Sequence, residues 1–519
     1  MSTVLAAYLG PLALCLAAFL SFKSPGLRPF AALRVSEIAG LAAIVFALAS
    51  GFLVWTGGAA TGALFELGGF GLSARLDAVS VTMAILVSFV GWIVLRFSRV
   101  YMDGEARQGW FTGWICLTLA AVLLLVTAGN LVQLVLAWFA TGAGLMRLLL
   151  TYPDRPGAQR VVRKKRVVAL FSDLSLVVAA IGMAVVFGTG DIATILAEAG
   201  GNAGWLLWIV AGALALAAVM KSAQLPFHGW LTEVMEAPTP VSALLHAGVI
   251  NAGGFLLIRF ADVMLTAPIV LAFLLMLGGL TALVGGLVML TQPAVKTSLA
   301  WSTVAQMGFM ILQCGLALFP LALLHIVAHS LYKAHAFLAS GEAVARVAAS
   351  RRPGPIAIPN ARAVMRAFLV ALAIYAVVGS VFGLMSKSPQ AIALGAILIF
   401  GVAYLLAQGF ADAAPKALTR RTALWSVAAS ASYFALQSFS AWLTKGVLPA
   451  TPSPGPLEWA LIILALVTFG ATAVAQATFP LWSGHPSVAG MRVHVANGFY
   501  INALIDRWLG NWRITEDRA

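Results

Sequence analysis

Charged side chains are scarce in this sequence, at 10% of 519 residues, whereas 61% of the residues are hydrophobic. A soluble domain carries roughly a quarter charged residues, so this composition excludes a soluble fold. A helical membrane span needs about 20 apolar residues, and the chain is apolar nearly from end to end. Little length remains for a catalytic domain outside the bilayer.

Cysteine is nearly absent, and Cys15, Cys116 and Cys314 lie singly in apolar runs. They supply neither a disulfide framework nor a CxxC metal pair. Acidic residues are also few, 18 against 32 Lys and Arg. A nucleic-acid binder concentrates such an excess on one exposed face, but here it separates the spans, so no nucleic acid is expected. No Gly-rich nucleotide loop or other cofactor motif occurs, and we expect no cofactor.

Uninterrupted apolar stretches divide the chain into about fifteen predicted spans. They predict an all-α, polytopic membrane helix bundle of about 13–15 transmembrane helices. The predicted spans lie near 3–22, 38–56, 78–95, 111–128, 130–150, 167–188, 204–225, 239–259, 267–290, 297–316, 318–341, 363–385, 389–411, 422–441 and 457–480.

The basic residues between the spans predict the orientation. If the Arg-rich connection after the fifth span, Arg155 to Arg166, is cytoplasmic, most of the 32 Lys and Arg residues fall on that side. Only four fall in connections on the opposite side, namely Arg75, Arg259, Lys387 and Lys445. This asymmetry follows the positive-inside rule, so we predict a periplasmic N-terminus and a cytoplasmic C-terminus.

We predict one continuous transmembrane domain over 1–484, because no Gly-Ser-rich or Pro-rich linker divides it. The last stretch, 485–519, is less apolar and carries Trp508 and Trp512 among alternating charges. It is typical of an amphipathic cytoplasmic segment that lies at the membrane surface or contacts a partner.

Polar residues within spans mark candidate functional positions, because an ionisable side chain at the bilayer centre costs about 2.5–3.5 kcal/mol on insertion scales. Lys221 ends an apolar span and could be a lysine that snorkels to the interface. The prolines that follow predict a discontinuous helix near 221–240, which is tolerated only within protein or beside a watery cavity. The titratable residues around this break are His228, Glu233, Glu236 and His246. This favours a conduction site.

A second group follows a helical period, since His325, His329 and Lys333 recur every fourth residue and share one face, with His335 off that face. Two histidines at this spacing can bind zinc, but no carboxylate or thiol lies close in sequence and a lysine extends the row. The imidazoles could also be structural, each hydrogen-bonded across the bundle. Because histidine changes charge near neutral pH, we predict a proton path and no metal site.

Asp173 is the third candidate, about two turns into the sixth span. Its carboxylate could pair with the Arg-rich connection that precedes the span. It could equally be the counter-charge that holds Lys221 protonated.

Long motifs around these residues resemble one family. The stretches 65–80, 220–250, 294–310 and 325–341 are similar to the proton-conducting antiporter-like subunits of respiratory complex I and of Mrp-type cation/proton antiporters. The resemblance covers roughly 60–345 and implies an antiporter-like repeat architecture. It also implies which residues carry protons: Asp173, Lys221, His246, His325, His329 and Lys333. The titratable residues nearby, His228, Glu233 and His335, are secondary candidates.

Two departures separate this chain from the respiratory subunits. Phe139 occupies the place of their fifth-span glutamate, and the predicted span at 363–385 lacks their lysine-bearing break. The stretches 148–175, 331–341 and 493–508 instead resemble the DabB family, the membrane subunits of two-component DabA–DabB systems that accumulate inorganic carbon in bacteria.

The DabB resemblance implies a division of labour. The membrane subunit conducts H+ or Na+, while a DabA-like partner, similar to β-carbonic anhydrases, holds zinc and hydrates CO2. We therefore expect a transporter subunit of the bacterial inner membrane rather than an enzyme. One alternative is a proton-pumping subunit of an NADH–quinone oxidoreductase or an Mrp-type antiporter, and another is a passive membrane anchor for a soluble enzyme.

Overall fold

The computed structural model describes residues 2–67, 70–202, 204–342, 359–410 and 416–508. Predictions that fall elsewhere, among them the basic residues of 343–358 and the end of the C-terminal segment at 509–519, lie outside the described residues. Within the described ranges the protein is a bundle of α-helices, and each predicted span is largely helical, although the one at 239–259 is divided between two helices.

The helices of the first half begin and end close to the apolar runs. Side chains fix two of the starts, because Asp77 accepts a hydrogen bond from the Ser80 backbone N–H and Asn130 accepts one from that of Gln133. These helices are α1 (Ser2–Lys23), α2 (Phe30–Gly57), α3 (Ala78–Tyr101), α4 (Gln108–Val126), α5 (Leu131–Leu149), α6 (Pro156–Phe187), α7 (Ile192–Glu198) and α8 (Trp205–Lys221).

The second half begins with short helices and continues with long ones. Its helices are α9 (Gly229–Thr232), α10 (Thr239–Ala247), α11 (Ala252–Arg259), α12 (Ala261–Leu265), α13 (Pro268–Met289), α14 (Val295–Gly315), α15 (Phe319–Leu338), α16 (Ala361–Val381), α17 (Pro389–Gly409), α18 (Lys416–Leu443), α19 (Pro456–Trp482), α20 (Pro486–Ala496) and α21 (Ile501–Trp508). Among the described residues, 11 helical segments are long and apolar enough to cross a membrane, and three shorter apolar helices accompany them. The protein is a multi-pass membrane protein.

The predicted discontinuity near 221–240 is confirmed. Helix α8 ends at Lys221, and the chain then runs through 222–238, with only the short α9, before α10 begins beside Pro238 and Pro240. A second break, which the sequence analysis did not predict, separates α10 from α11 at Gly248–Asn251. Helix α10 packs on α15 and α11 packs on α8, so this second break lies between two parts of the bundle.

A two-stranded hairpin, β1 (Ala60–Leu67) and β2 (Phe70–Leu76), is the one non-helical element of the described chain. It is antiparallel and pairs Ala60 with Leu76. Directly after it, the fully buried Asp77 carboxylate contacts Arg259 Nη1 at 2.6 Å and Arg75 Nε at 2.9 Å. The hairpin and α3, which follow each other in sequence, therefore meet α11, 182 residues away, at one carboxylate.

Helix α6 begins earlier than its apolar run. The sequence analysis placed Lys164 and Lys165 in a connection, and this is wrong, because α6 starts at Pro156 and both lysines lie inside it. Their exposed fractions are 4% and 2%. Proline at the first helical position favours this early start, and acidic and aromatic neighbours described below cover the two side chains.

Helices α13 and α14 approach each other closely through glycine. A Cβ atom at Gly278 would lie 2.6 Å from the Gly308 carbonyl oxygen, and one at Gly308 would lie 2.6 Å from the Ala282 backbone nitrogen. Small residues allow such contact between helices in a membrane. This contact fixes α14, which carries Thr303, against the bundle.

Candidate ion-conducting site

Lys221 and Asp173 lie on two sides of the same indole ring. The Lys221 Nζ atom is 4.2 Å from the centroid of the buried Trp138 ring, a cation–π distance. The Trp138 Nε1–H donates to Asp173 Oδ1 at 3.0 Å. Among the described residues, no ion pair within 4 Å includes Lys221 or Asp173, yet their charges are close enough to interact.

Apart from Trp138, the α5 residues around this site are small or apolar. Phe139 is half-buried against the core, and a Cβ atom at Gly142 would be 3.9 Å from Lys221 Nζ. Position 139 on α5 carries no carboxylate, whereas α6 carries Asp173 next to Trp138. The Trp138 side chain joins the two helices at this point.

Thr303 on α14 joins His246 to Lys333. His246 Nδ1 lies 3.0 Å from the Thr303 hydroxyl oxygen, and that hydroxyl donates to the Leu299 carbonyl at 3.0 Å. Lys333 Nζ donates to the same carbonyl at 2.9 Å. Because the hydroxyl proton is directed to Leu299, Thr303 accepts from His246 Nδ1–H, and the lone pair of neutral His246 is on Nε2. That atom is buried without a protein partner in the described structure.

His329 has the opposite tautomer. Its Nε2 lies 3.2 Å from the backbone carbonyl oxygen of His246, which can only accept, so this nitrogen carries the proton. The buried Nδ1 atom has no protein partner among the described residues. His246 and His329 therefore each present one unprotonated nitrogen, and the charge of Lys333 reaches both rings.

His325 continues the row towards a cavity. Its ring centroid is 6.0 Å from that of His329. Both histidines line a cavity of about 570 Å³ between α13–α15 and α17–α19. The cavity is mostly apolar, but Gln313 and Tyr433 also line it with buried polar atoms that have no protein partner in the described structure.

Polar side chains lie at the second helix break, between the two groups. Asn251 donates to the Ser330 hydroxyl at 2.9 Å and to the Ala247 carbonyl at 3.0 Å. Ser222, next to Lys221, donates to the Ile250 carbonyl at 3.4 Å. These contacts link the end of α8 to α15, which carries Lys333.

The secondary candidates have separate positions. His228 is fully buried, 4.8 Å from the Trp301 ring, and neither ring nitrogen has a protein partner among the described residues. Glu233 lies away from Lys221 and pairs with Lys164 and Arg160. His335 is exposed on the far side of α15.

Sequence reasoning missed several residues of this site. Trp138 and Thr303 were missed because neither titrates, and their importance comes from contacts across helices. Lys165 was missed because it belongs to a basic run that is typical of a cytoplasmic loop. It is buried in α6, with Nζ 4.1 Å from the centroid of the Trp230 ring.

A cluster of ion pairs, here called the basic end, joins α6 to the 222–238 segment and to α21. Lys164 Nζ lies 2.6 Å from Glu233 Oε1 and 2.6 Å from Asp506 Oδ2. Asn502 donates to the same Glu233 oxygen at 2.7 Å. The inner face of α21 is thereby held against the bundle, while Leu504 and Trp508 on its outer face are exposed. That this segment contacts a partner stays a prediction.

Replacing Lys164 with methionine is expected to release α21. The substitution leaves Glu233 and Asp506 without their shared cation, and hydrogen bonds to charged groups contribute about 1.5–3 kcal/mol. Since 1.4 kcal/mol is a factor of ten, cleavage by trypsin after Arg507 should become about tenfold faster or more. Mass spectrometry of timed digests measures this rate. Arg166→Met, at an exposed position two residues along, is the matched control, and equal rates in the two variants would contradict the assignment.

Among the described residues, no three His, Cys, Asp or Glu side chains come together as metal ligands.

Comparisons with known proteins identify the family and the fold. Residues 128–356 match the family described as "NADH:quinone oxidoreductase/Mrp antiporter, TM", and residues 66–112 match "NADH-Ubiquinone oxidoreductase (complex I), chain 5 N-terminus". The fold is similar to that of a chain in the Mrp complex from Dietzia sp. DQ12-45-1b, with a TM-score of 0.59 and 23% identity over 98% of this chain and 57% of that one. The fold and the matched families define an antiporter-like, ion-conducting membrane subunit.

Curated relatives identify the family within this class of membrane subunits. The probable inorganic carbon transporter subunit DabB2 of Halothiobacillus neapolitanus is 37% identical over 456 residues, which cover 85% of this chain and 80% of the relative. The corresponding DabB of Hydrogenovibrio crunogenus is 42% identical over 272 residues, about half of each chain (52% and 52%). The chain belongs to the DabB family of inorganic carbon transporter subunits, and the prediction of a membrane transporter subunit is confirmed.

Proposed function

We propose that this chain conducts protons across the membrane and that their flux drives inorganic carbon accumulation in a complex with a DabA-like zinc protein. The observation that carries the proposal is the row of His325, His329 and Lys333 beside His246. His246 and His329 each present a buried ring nitrogen that can accept a proton. Proton transfer needs this alternation of donors and acceptors at close range.

The proposed path runs from the cavity at His325 through His329, Lys333 and His246 to the pair of Lys221 and Asp173. The polar groups at the second helix break, Asn251 and Ser222, bridge the two parts, with ordered water completing the contacts. An ionisable group inside a membrane is by default a functional group, because its insertion is costly. Asp173 takes the role of the acid that Phe139 replaces.

One path of this kind is sufficient energetically. Moving one charge through 100 mV supplies about 2.3 kcal/mol, and about 1.4 kcal/mol maintains a tenfold concentration ratio. One proton could therefore support an accumulation of more than tenfold. The uninterrupted α16, which contains no lysine, fits a single path.

The proposed setting is the inner membrane of a bacterium, with the N-terminus in the periplasm and the C-terminus in the cytoplasm. The distribution of basic residues supports this orientation, and the bacterial source of the DabB relatives supports the membrane. A cytoplasmic basic end would present α21 to the partner. The zinc site belongs to that partner, where CO2 would be hydrated.

Proton flux in liposomes tests the proposal. The full chain, purified with the subunits that accompany it, is reconstituted with a pH-sensitive dye inside the vesicles. Because CO2 hydration itself releases a proton, the measured quantity is the part of the internal pH change that depends on an imposed membrane potential. We expect this part to be present in the wild type and Lys333→Met to reduce it at least tenfold, because methionine fills a similar volume but carries no proton. Lys23→Met, at an exposed position at the end of α1, is the control.

Four outcomes would contradict the proposal. Turnover whose internal pH change does not depend on the membrane potential would exclude proton coupling, and a flux that requires sodium and ignores a pH gradient would indicate Na+ instead. Wild-type flux in Lys333→Met would remove the histidine–lysine row from the path. Co-purification of flavin and iron–sulfur subunits would instead indicate a respiratory enzyme.

A further inference from the structure

Lys165 is a buried lysine that the path described above does not use. It lies in the third turn of α6 and is 2% exposed. Its Nζ atom faces the Trp230 ring at 4.1 Å. Trp230 belongs to α9, in the middle of the 222–238 segment that begins directly after Lys221.

The adjacent Lys164, in contrast to Lys165, is a structural lysine that pairs with carboxylates. Lys164 Nζ is within 2.6 Å of two carboxylates, Glu233 and Asp506. In the described structure, by contrast, no carboxylate lies within 4 Å of Lys165 Nζ and no hydrogen bond to this atom is present. Burying an ammonium group without a carboxylate partner is unfavourable, and the cation–π contact with Trp230 offsets only part of this cost.

Lys165 lies on α6 between Lys164 of the basic end and Asp173. It precedes Asp173 by eight residues on the same helix, which at 1.5 Å per residue is a rise of about 12 Å. Eight residues exceed two full turns by about 80°, so the two side chains leave α6 slightly less than a quarter-turn apart. The charge of Lys165 interacts with those of Lys221 and Asp173.

A second cavity lies beside the basic end. It has a volume of about 300 Å³ and is lined by Met220, Trp230, Lys164 and Asp506, among others. Met220 adjoins Lys221, and Trp230 carries the ring that covers Lys165. The cavity therefore extends from residues that adjoin Lys221 and cover Lys165 to the ion pairs at the basic end, and neither of these two lysines lines it.

We infer that Lys165 is a further proton-carrying residue, which receives protons from Lys221 and passes them towards the basic end. The inference rests on the proposed function. In the transfer, the Lys221 ammonium group loses one proton and the neutral amine of Lys165 gains it, with water as the bridge, so that charge and atoms balance. Two lysines near a single carboxylate disfavour simultaneous protonation, and only one of them needs to be charged at a time.

A fixed positive charge is the rival role for Lys165, and arginine separates the two. Arginine keeps the charge but does not release a proton in proteins. Histidine, in contrast, can still exchange one. We expect Lys165→Met and Lys165→Arg to reduce proton flux at least tenfold in liposomes that contain the full complex, and Lys165→His to retain part of it.

Arg166→Gln is the matched control, since Arg166 is the next residue, is basic and is exposed. It should conduct like the wild type. Wild-type flux in Lys165→Arg would show a fixed-charge role and overturn the inference, as would wild-type flux in Lys165→Met. The arginine variant decides the question even if the methionine variant fails to assemble, which size-exclusion chromatography of the complex reveals.

The same assay distinguishes this inference from the proposed function. If Lys221→Met loses flux but Lys165→Arg and Lys165→Met keep it, the proposed function stands and the role of Lys165 is wrong. If Lys221→Met itself conducts normally, the proposed function fails.

Discussion

Replacing Lys221 with alanine is expected to lower inorganic carbon uptake to background, a loss of more than tenfold. The lysine lies mid-bundle at the end of α8, against Trp138, and the proposed path has no other group there that can carry a proton from α10 towards α6. Uptake of labelled inorganic carbon is measured in cells that express the chain with its partner. The amount of assembled complex is measured in parallel by pull-down, because the substitution should leave assembly intact.

Asp173→Asn separates charge from hydrogen bonding at the same point. The amide oxygen can still accept from Trp138 Nε1–H, so the contact between α5 and α6 is kept while the negative charge is lost. We expect uptake to fall as it does for Lys221→Ala. Lys445→Ala, an exposed lysine elsewhere in the chain, should take up carbon normally. Normal uptake in a well-expressed Lys221→Ala strain would refute the assigned path.

Replacing Asp77 with asparagine is expected to destabilise the folded protein by about 3–5 kcal/mol, the usual cost of breaking a buried ion pair on one side. The change leaves Arg259, which is 4% exposed, without its counter-charge and weakens the start of α3. Thermal unfolding of the protein in detergent, followed by loss of monodisperse protein, measures the effect.

Asp103→Asn is the matched control for this prediction. Asp103 pairs with Arg28 at 2.9 Å, but both side chains are about half exposed, and such pairs contribute only about 0–1 kcal/mol. Equal unfolding temperatures for the two variants would show that the Asp77 cluster does not stabilise the fold.

The pH dependence of the Asp77 contribution follows from the same contacts. Burial alone would raise the pKa of Asp77, but Arg259 and Arg75, together with the hydrogen bond from Ser80, hold it well below its usual range. A lowered pKa in the folded state stabilises the protein above the unfolded value of about 3.9 and loses this effect as the pH falls towards the folded value. The Asp77 cluster therefore stabilises the fold fully at neutral pH.

Much of the fold could be predicted from the sequence, because apolar runs of the right length form helices in a bilayer. The break after Lys221 could be predicted as well, since the prolines at 226, 238 and 240 mark it. The second break could not, because the run from Ala247 to Phe255 is apolar apart from Asn251 and its glycines do not by themselves end a helix. The start of α6 was missed for a related reason: hydropathy detects where apolar residues begin, and a helix can begin earlier.

The candidate site, like the fold, could be predicted only in part from the sequence. Four-residue spacing places His325, His329 and Lys333 on one face, which is a local property of the chain. The tautomers of His246 and His329 depend on Thr303 and on a carbonyl oxygen of another helix, and these contacts arise only from packing. Lys165 shows the same limit, because the burial of a basic residue depends on the ring that covers it. Whether these groups carry protons remains a proposal.

The position of Trp508 has a mechanical consequence. Its indole is 81% exposed, two residues beyond Asp506 and therefore on the same turn of α21. A subunit that bound this ring would contact a short helix whose opposite face pairs with Lys164, the neighbour of Lys165. Binding of a subunit at the surface would then be coupled through α21 to the position of the buried lysines.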